Sequence, residues 1–145
     1  MPAPEEPHPT SAAVMEELDA PACLELLATT SVGRVGLIVD GRPVVLPVNY
    51  VVDGSSVVFR TAEGTVLNKV ALQVVAFEAD RIDEATTTGW SVLVQGVAQD
   101  VSNAIDTTSE RLRRLALVSW APGQRHRWFR VNADTITGRR LLTAT

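Results

Sequence analysis

The segment VGLIVDGRPVVLPVNYVVDGSSVVFRT, Val35–Thr61, decides the fold. Three β-branched runs, Val35–Val39, Pro43–Val52 and Ser56–Thr61, are separated by Asp40-Gly41 and Asp53-Gly54. Valine's branched Cβ restricts χ1 and suits a pleated sheet better than a helix. Asp-Gly tolerates the positive φ that a tight hairpin turn demands. Two such signals, thirteen residues apart, predict a three-stranded antiparallel meander.

Outward from the meander the same chemistry continues: 21 of the 145 residues are valine. Ala71–Glu78 reads as a fourth strand, Trp90–Val101 as a fifth, and His126–Ile136 as the last. Asp19 is an N-cap candidate with Pro21 in the first turn, so a helix precedes the meander and ends before Gly33. Thr107-x-x-Glu110 is a capping box opening a helix that carries Leu112, Leu115 and Val118 at helical spacing. Ala121-Pro122-Gly123 closes it, and Val66–Leu72 reads as a further short helix. Residues 1–13 hold four prolines and read as a flexible tail; residues 14–145 form one domain. The element order predicts a six- or seven-stranded antiparallel barrel with two or three peripheral helices.

Composition narrows the function classes. The net charge is −4, which indicates no basic surface for nucleic acid. The single cysteine, Cys23, sits among leucines as a small buried hydrophobe and excludes an intramolecular disulfide. No apolar run approaches the roughly 18 residues of a membrane span and no signal peptide is evident, so a cytoplasmic protein is expected. Gly-x-Gly-x-x-Gly and Walker A motifs are absent. The two histidines lack the spacing of a zinc site; His8 lies in the tail, and His126 has no acidic neighbour in sequence for a catalytic triad. Glu78, Asp80, Asp83 and Glu84 read as an exposed acidic loop.

Three groups of residues carry candidate chemistry. Arg60 and Thr61 end the third strand, and Thr65 and Lys69, the only lysine, follow in a turn and short helix. Cations, hydroxyls and free N–H groups at such a junction suit a phosphate, although a solvated turn has the same composition. Pro47, Val48, Asn49 and Tyr50 interrupt an apolar strand. Proline removes a ladder donor, so the strand lies at an edge or bulge there and either faces a ligand or turns a barrel corner. Trp90 and Ser91 place an aromatic beside a hydroxyl, fit to lie on a flat ring or to cap the barrel. Trp128-Phe129-Arg130 and Gly138-Arg139-Arg140 close a pocket or form a plain final strand with a basic end.

The ordered set Val32-Gly33-Arg34-Val35-Gly36, Asp40-Gly41-Arg42-Pro43, Pro47-Val48-Asn49-Tyr50, Phe59-Arg60-Thr61, Gly89-Trp90-Ser91-Val92-Leu93-Val94-Gln95-Gly96 and Gly138-Arg139-Arg140 spans residues 18–140. It resembles the flavin-binding split-barrel family related to pyridoxamine 5′-phosphate oxidase, in its short single-domain subgroup. The resemblance implies a homodimer with two flavin mononucleotide (FMN) sites at the interface and an oxidoreductase acting on a small-molecule substrate. Arg60 and Thr61 would hold the phosphate, Pro47 to Tyr50 would contact the ring, and Trp90 and Ser91 would contribute from across the site. No catalytic side chain is implied, because the flavin carries the redox step.

The chain also departs from that pattern. Members commonly place a basic residue directly after the small residue that here is Thr65; this chain has Val66, and Lys69 one helical turn later is the candidate to reach the phosphate instead. Members often carry arginine where Gln95 or Val97 stands. The substrate-binding histidine and arginine of true pyridoxamine phosphate oxidases have no match, which argues against pyridoxine 5′-phosphate as substrate. A 5-deazaflavin cofactor in the same barrel, or a non-catalytic module that binds or senses flavin or haem, remain open alternatives.

Overall fold

The computed structural model describes residues 3–4, 13–62, 69–121, 123 and 127–143. The elements are β1 (Ala13–Leu18), α1 (Ala20–Leu27), β2 (Val32–Val39), β3 (Arg42–Asp53), β4 (Ser56–Thr61), β5 (Val74–Asp83), β6 (Thr88–Asp100), α2 (Thr107–Leu112), β7 (Arg127–Asn132) and β8 (Thr135–Thr143). Strands pair in the order β6-β5-β2-β3-β4-β7, and β7 returns to β6, so six antiparallel strands close a barrel. β8 and then β1 extend the sheet beyond β6.

The predicted meander is β2-β3-β4. Asp40 and Gly41 take φ of 51° and 77°, the doubly positive turn that links Val39 to Arg42. The second turn is centred one residue later than the Asp-Gly signal: Asp53 pairs with Ser56, and Gly54, at φ 58°, opens the turn. Proline 47 pairs with Arg34 on the β2 side, whereas β3 meets β4 only from Tyr50 onward. Residues 42–49 of β3 thus form an edge, as the proline requires.

β6 is the hub. Its Gly89–Gln95 half pairs with β8 and its Ala98–Asp100 end with β7, while β5 lines the other side. Between the two halves a Cβ on Gly96 would collide with the Asn132 carbonyl, where the chain leaves β7 and crosses over to β8. Glycine is required there by close approach of two backbones. Val35, Phe77, Val92, Val94, Phe59 and Phe129 fill the interior, with Phe59 stacked on Phe129 at 5.5 Å. A second cluster, Val58, Val101, Leu112, Leu117 and Trp128, lies outside β4 and β7 beneath α2 and the segment after it.

Several predicted boundaries are corrected. Strand β1 was not expected. α1 is capped by Asp19, whose side chain accepts from the Ala22 N–H at 3.0 Å. The cap of α2 is Asp106 rather than Thr107; it accepts from the Ser109 N–H at 2.8 Å, and a carboxylate outcompetes a hydroxyl at that position. α2 ends at Leu112, so Leu115 and Val118 lie beyond it. The single last strand is two, β7 and β8. The fourth strand runs Val74–Asp83, which puts Glu78, Asp80 and Asp83 on a strand and not in a loop. The helix expected over Val66–Leu72 does not reach its end: Lys69 and Val70 form a short turn and Leu72 has φ 65°. Residues 63–68 lie outside the described residues, and with them Thr65 and Val66.

Candidate functional site

The strand end Phe59-Arg60-Thr61 is built by alternation. Phe59 points into the barrel, so Arg60 shares the outer face with Val58. There its guanidinium lies 4.6 Å from the Trp128 ring centroid and donates to the Leu117 carbonyl at 3.2 Å. Stacking on an indole suits the planar, weakly hydrated arginine head. Thr61 is buried, with its hydroxyl 3.4 Å from the Ala62 carbonyl. Lys69 is exposed, and its carbonyl accepts from the Gln73 side chain at 2.7 Å. The turn that carries it is anchored by buried Val70 and by the Leu72 N–H donating to Ala98 at 2.8 Å.

The β3 segment divides between core and corner. Val48 and Tyr50 face inward, and Pro47 faces out. Tyr50 is 2% exposed; its hydroxyl donates to the Leu27 carbonyl at 2.6 Å and meets the Thr30 hydroxyl. Its ring sits edge-on to Phe77 at 4.7 Å. Tyr50 therefore fastens α1 to the barrel, and burial pushes its phenol pKa up. Asn49 faces outward with both ends of its amide engaged. Nδ2 donates to the Ser31 carbonyl at 3.2 Å, and Oδ1 accepts from the Trp120 N–H at 2.8 Å.

Asn49 and Arg60 are thus brought to one corner, each bonded to the segment Leu117–Trp120 that follows α2. Arg111 anchors α2 itself by a bidentate pair with Asp53, at 2.7 and 2.8 Å. The sequence reading put the Leu117–Trp120 segment inside the helix and gave it no part in a site, although a tryptophan directly before Ala-Pro-Gly was a usable signal.

Trp90 and Ser91 lie on β6, separated from Asn49 on β3 by the two strands β5 and β2. They lie on the first half of β6, opposite Arg81 and Asp80 on β5 and Arg140 and Arg139 on β8. From Ser91 the ladder runs to Asp80 on β5, whose carboxylate meets Arg34 on β2, and Val32, two residues before Arg34, pairs with Asn49. Trp90 and Ser91 line a groove of about 570 Å³ with Met15, Ile82, Arg139 and Leu141.

One titratable group stands out on the outer face. Glu78 lines a neighbouring cavity of about 380 Å³ with Ser91, Glu17 and Arg139. Its Oε1 is buried without a hydrogen-bond partner among the described residues. Desolvation, then the hydrogen bond and charge of Asp80, push its pKa up from 4.5 to about 7 against the pull of Arg34. Arg34 lies 3.9 Å from Glu78 and 3.3 Å from Asp80.

Residues 19–140 match the model of the family described as pyridoxamine 5′-phosphate oxidase. The chain belongs to that family. An uncharacterized protein of Mycobacterium tuberculosis is 35% identical over 135 residues, covering 88% of this chain and 81% of its own length. A solved structure of an FAD-binding protein from Mycobacterium smegmatis is 38% identical, with a TM-score of 0.72, over 88% of this chain and 97% of that one. A Corynebacterium diphtheriae protein of unknown function is 31% identical, with a TM-score of 0.71, over 88% and 98%. The two solved structures share the barrel described above. No described helix is long and apolar enough to cross a membrane.

Proposed function

We propose that this chain binds a flavin nucleotide and serves as a flavin-dependent oxidoreductase, working as a homodimer. The observation that carries the proposal is the corner at which Arg60 and Asn49 converge, one from each of the two segments that the family resemblance assigns to phosphate and ring. The 38% identical relative from Mycobacterium smegmatis is an FAD-binding protein, which supports the cofactor class. FMN and FAD share the ribityl 5′-phosphate that we assign to Arg60 and Thr61, with Thr65 and Lys69 on the segment that follows. When bound, the flavin would supply the redox chemistry, exchanging a hydride with a small-molecule substrate. The chain's part is to fix the phosphate, hold the ring and shape a slot for the substrate.

The family resemblance implies the dimer, with Trp90 and Ser91 contributing to the site from across it. The outer face of the sheet, uncovered among the described residues, supports this: Ile38, Val45 and Val74 are 58%, 64% and 70% exposed and lie on adjacent strands. A soluble chain does not leave such a patch to water without a use for it.

The test is a titration of the purified protein with FMN and with riboflavin, followed in the visible band. A charge-assisted hydrogen bond contributes on the order of 1.5–3 kcal/mol, so Arg60→Ala is expected to weaken FMN binding by about ten- to a hundredfold. Riboflavin, which has no phosphate, should lose far less. A protein that takes up neither flavin would sink the proposal.

A further inference from the structure

Trp120 is out of keeping with its surroundings. The other two tryptophans, Trp90 and Trp128, are 9% and 7% exposed, whereas Trp120 is 71% exposed. An indole turned to water forgoes the burial that normally holds a tryptophan. Trp120 is nevertheless held firmly through its backbone. Its N–H donates to Asn49 Oδ1 at 2.8 Å; three residues earlier Leu117 is buried, and its carbonyl accepts from Arg60 at 3.2 Å. The segment is pinned at two points by the two residues that the flavin reading places at the ring and at the phosphate. Between and beside those pins the fold presents one large, flat, apolar side chain with nothing over it among the described residues.

We infer that Trp120 is a wall of the cofactor site and that its indole packs on the tricyclic ring of the bound flavin. The inference rests on the flavin reading and adds to it a ring-contacting residue from outside the segments that the resemblance names. The physical logic is complementary. Arg60 answers the charge at one end of the ligand and carries no preference for the ring. An exposed indole answers a planar, electron-poor ring and is indifferent to the phosphate. The pin on Trp120 is its backbone N–H, so the segment keeps its place when the side chain is replaced.

That separation defines the experiment. Wild type, Trp120→Ala and Trp120→Phe are titrated with FMN and with riboflavin, and each protein's mass is followed by light scattering. Trp120→Ala should weaken binding of both ligands by about tenfold, equally, and Trp120→Phe should restore most of the loss. Arg60→Ala, by contrast, should discriminate between the two ligands. Unchanged affinity in Trp120→Ala, with wild type binding flavin, would overturn the inference and leave the flavin reading intact. So would a loss that appears only together with dissociation of a dimer, which would make Trp120 an interface residue. If wild type binds no flavin, both readings fall together.

Discussion

Val48 and Tyr50 point inward and Pro47 and Asn49 outward, and that phase was not legible in the sequence. Val44 to Val52 is apolar at nearly every position, so period-two alternation gives no sign of which set faces the core. The proline, by contrast, was legible, because a missing N–H has the same consequence in any register. Glu78 was misread for a related reason. A run of four carboxylates within seven residues looks like a solvated loop, and only the pairing of β5 with β2 and β6 shows it on a sheet face. Its titration has a measurable consequence. The folded state holds the Glu78 proton up to about pH 7, whereas the unfolded chain releases it near its ordinary value of 4.5. Between those values the native state binds more protons, so Glu78's contribution to stability is complete at low pH and is lost as pH rises through about 7. Glu78→Gln keeps the shape without the charge. Urea unfolding at pH 5, 6, 7 and 8 should show the variant gaining on wild type as pH rises, with most of the change between pH 5 and 7. Parallel stability profiles for the two proteins would mean that Glu78 ionises normally.

At the scale of elements, the β2-β3-β4 meander was readable because its turns carry Asp-Gly and its strands carry valine. The division of the last strand into β7 and β8 was not. Asn132-Ala133-Asp134 contains neither glycine nor proline, and the break is imposed from outside, by the Ala133 N–H donating to Ser55 and the Asp134 N–H to Gln95. β6 has to serve three neighbours, and Gly96 marks the point where it changes partner from β8 to β7. Gly96→Ala would drive a methyl into the Asn132 carbonyl. Backbone against backbone cannot yield by a rotamer change, so the crossing itself must shift. We expect a loss of roughly 1–3 kcal/mol, towards the upper end of the range for overpacked sites. Thermal unfolding by circular dichroism is the measurement. A variant as stable as wild type would show that β7 and β8 cross β6 more loosely than described. Gly36→Ala is the control, since a Cβ there meets the Ala76 Cβ at an ordinary 3.6 Å.

For the whole molecule, the barrel was legible, whereas the apolar outer face, uncovered among the described residues, was not. Along the outside, Ile38 and Gly36 on β2 stand beside Pro43 and Val45 on β3, Val74 and Ala76 on β5, and Val97 on β6. Sequence showed these as ordinary strand residues, because nothing in a run of valines says which face lacks a cover. In a twofold dimer the same patch meets itself, so a single substitution enters the interface twice. Val45 is the natural probe: it is 64% exposed, on the open-edged stretch of β3, and its removal costs the interior nothing. Val45→Glu would set two carboxylates into an apolar contact, where each loses hydration without gaining a partner. We expect wild type to scatter light as a dimer at micromolar concentration, with well over roughly 1,000 Å² buried in total. Val45→Glu should scatter as a folded monomer with unchanged far-ultraviolet dichroism. If Trp90 and Ser91 do reach the partner's Arg60 corner, flavin affinity must fall with the dimer, tracking protein concentration in both forms. A Val45→Glu protein that stays dimeric would place the interface elsewhere. A monomer that keeps full flavin affinity would confine the site to one chain.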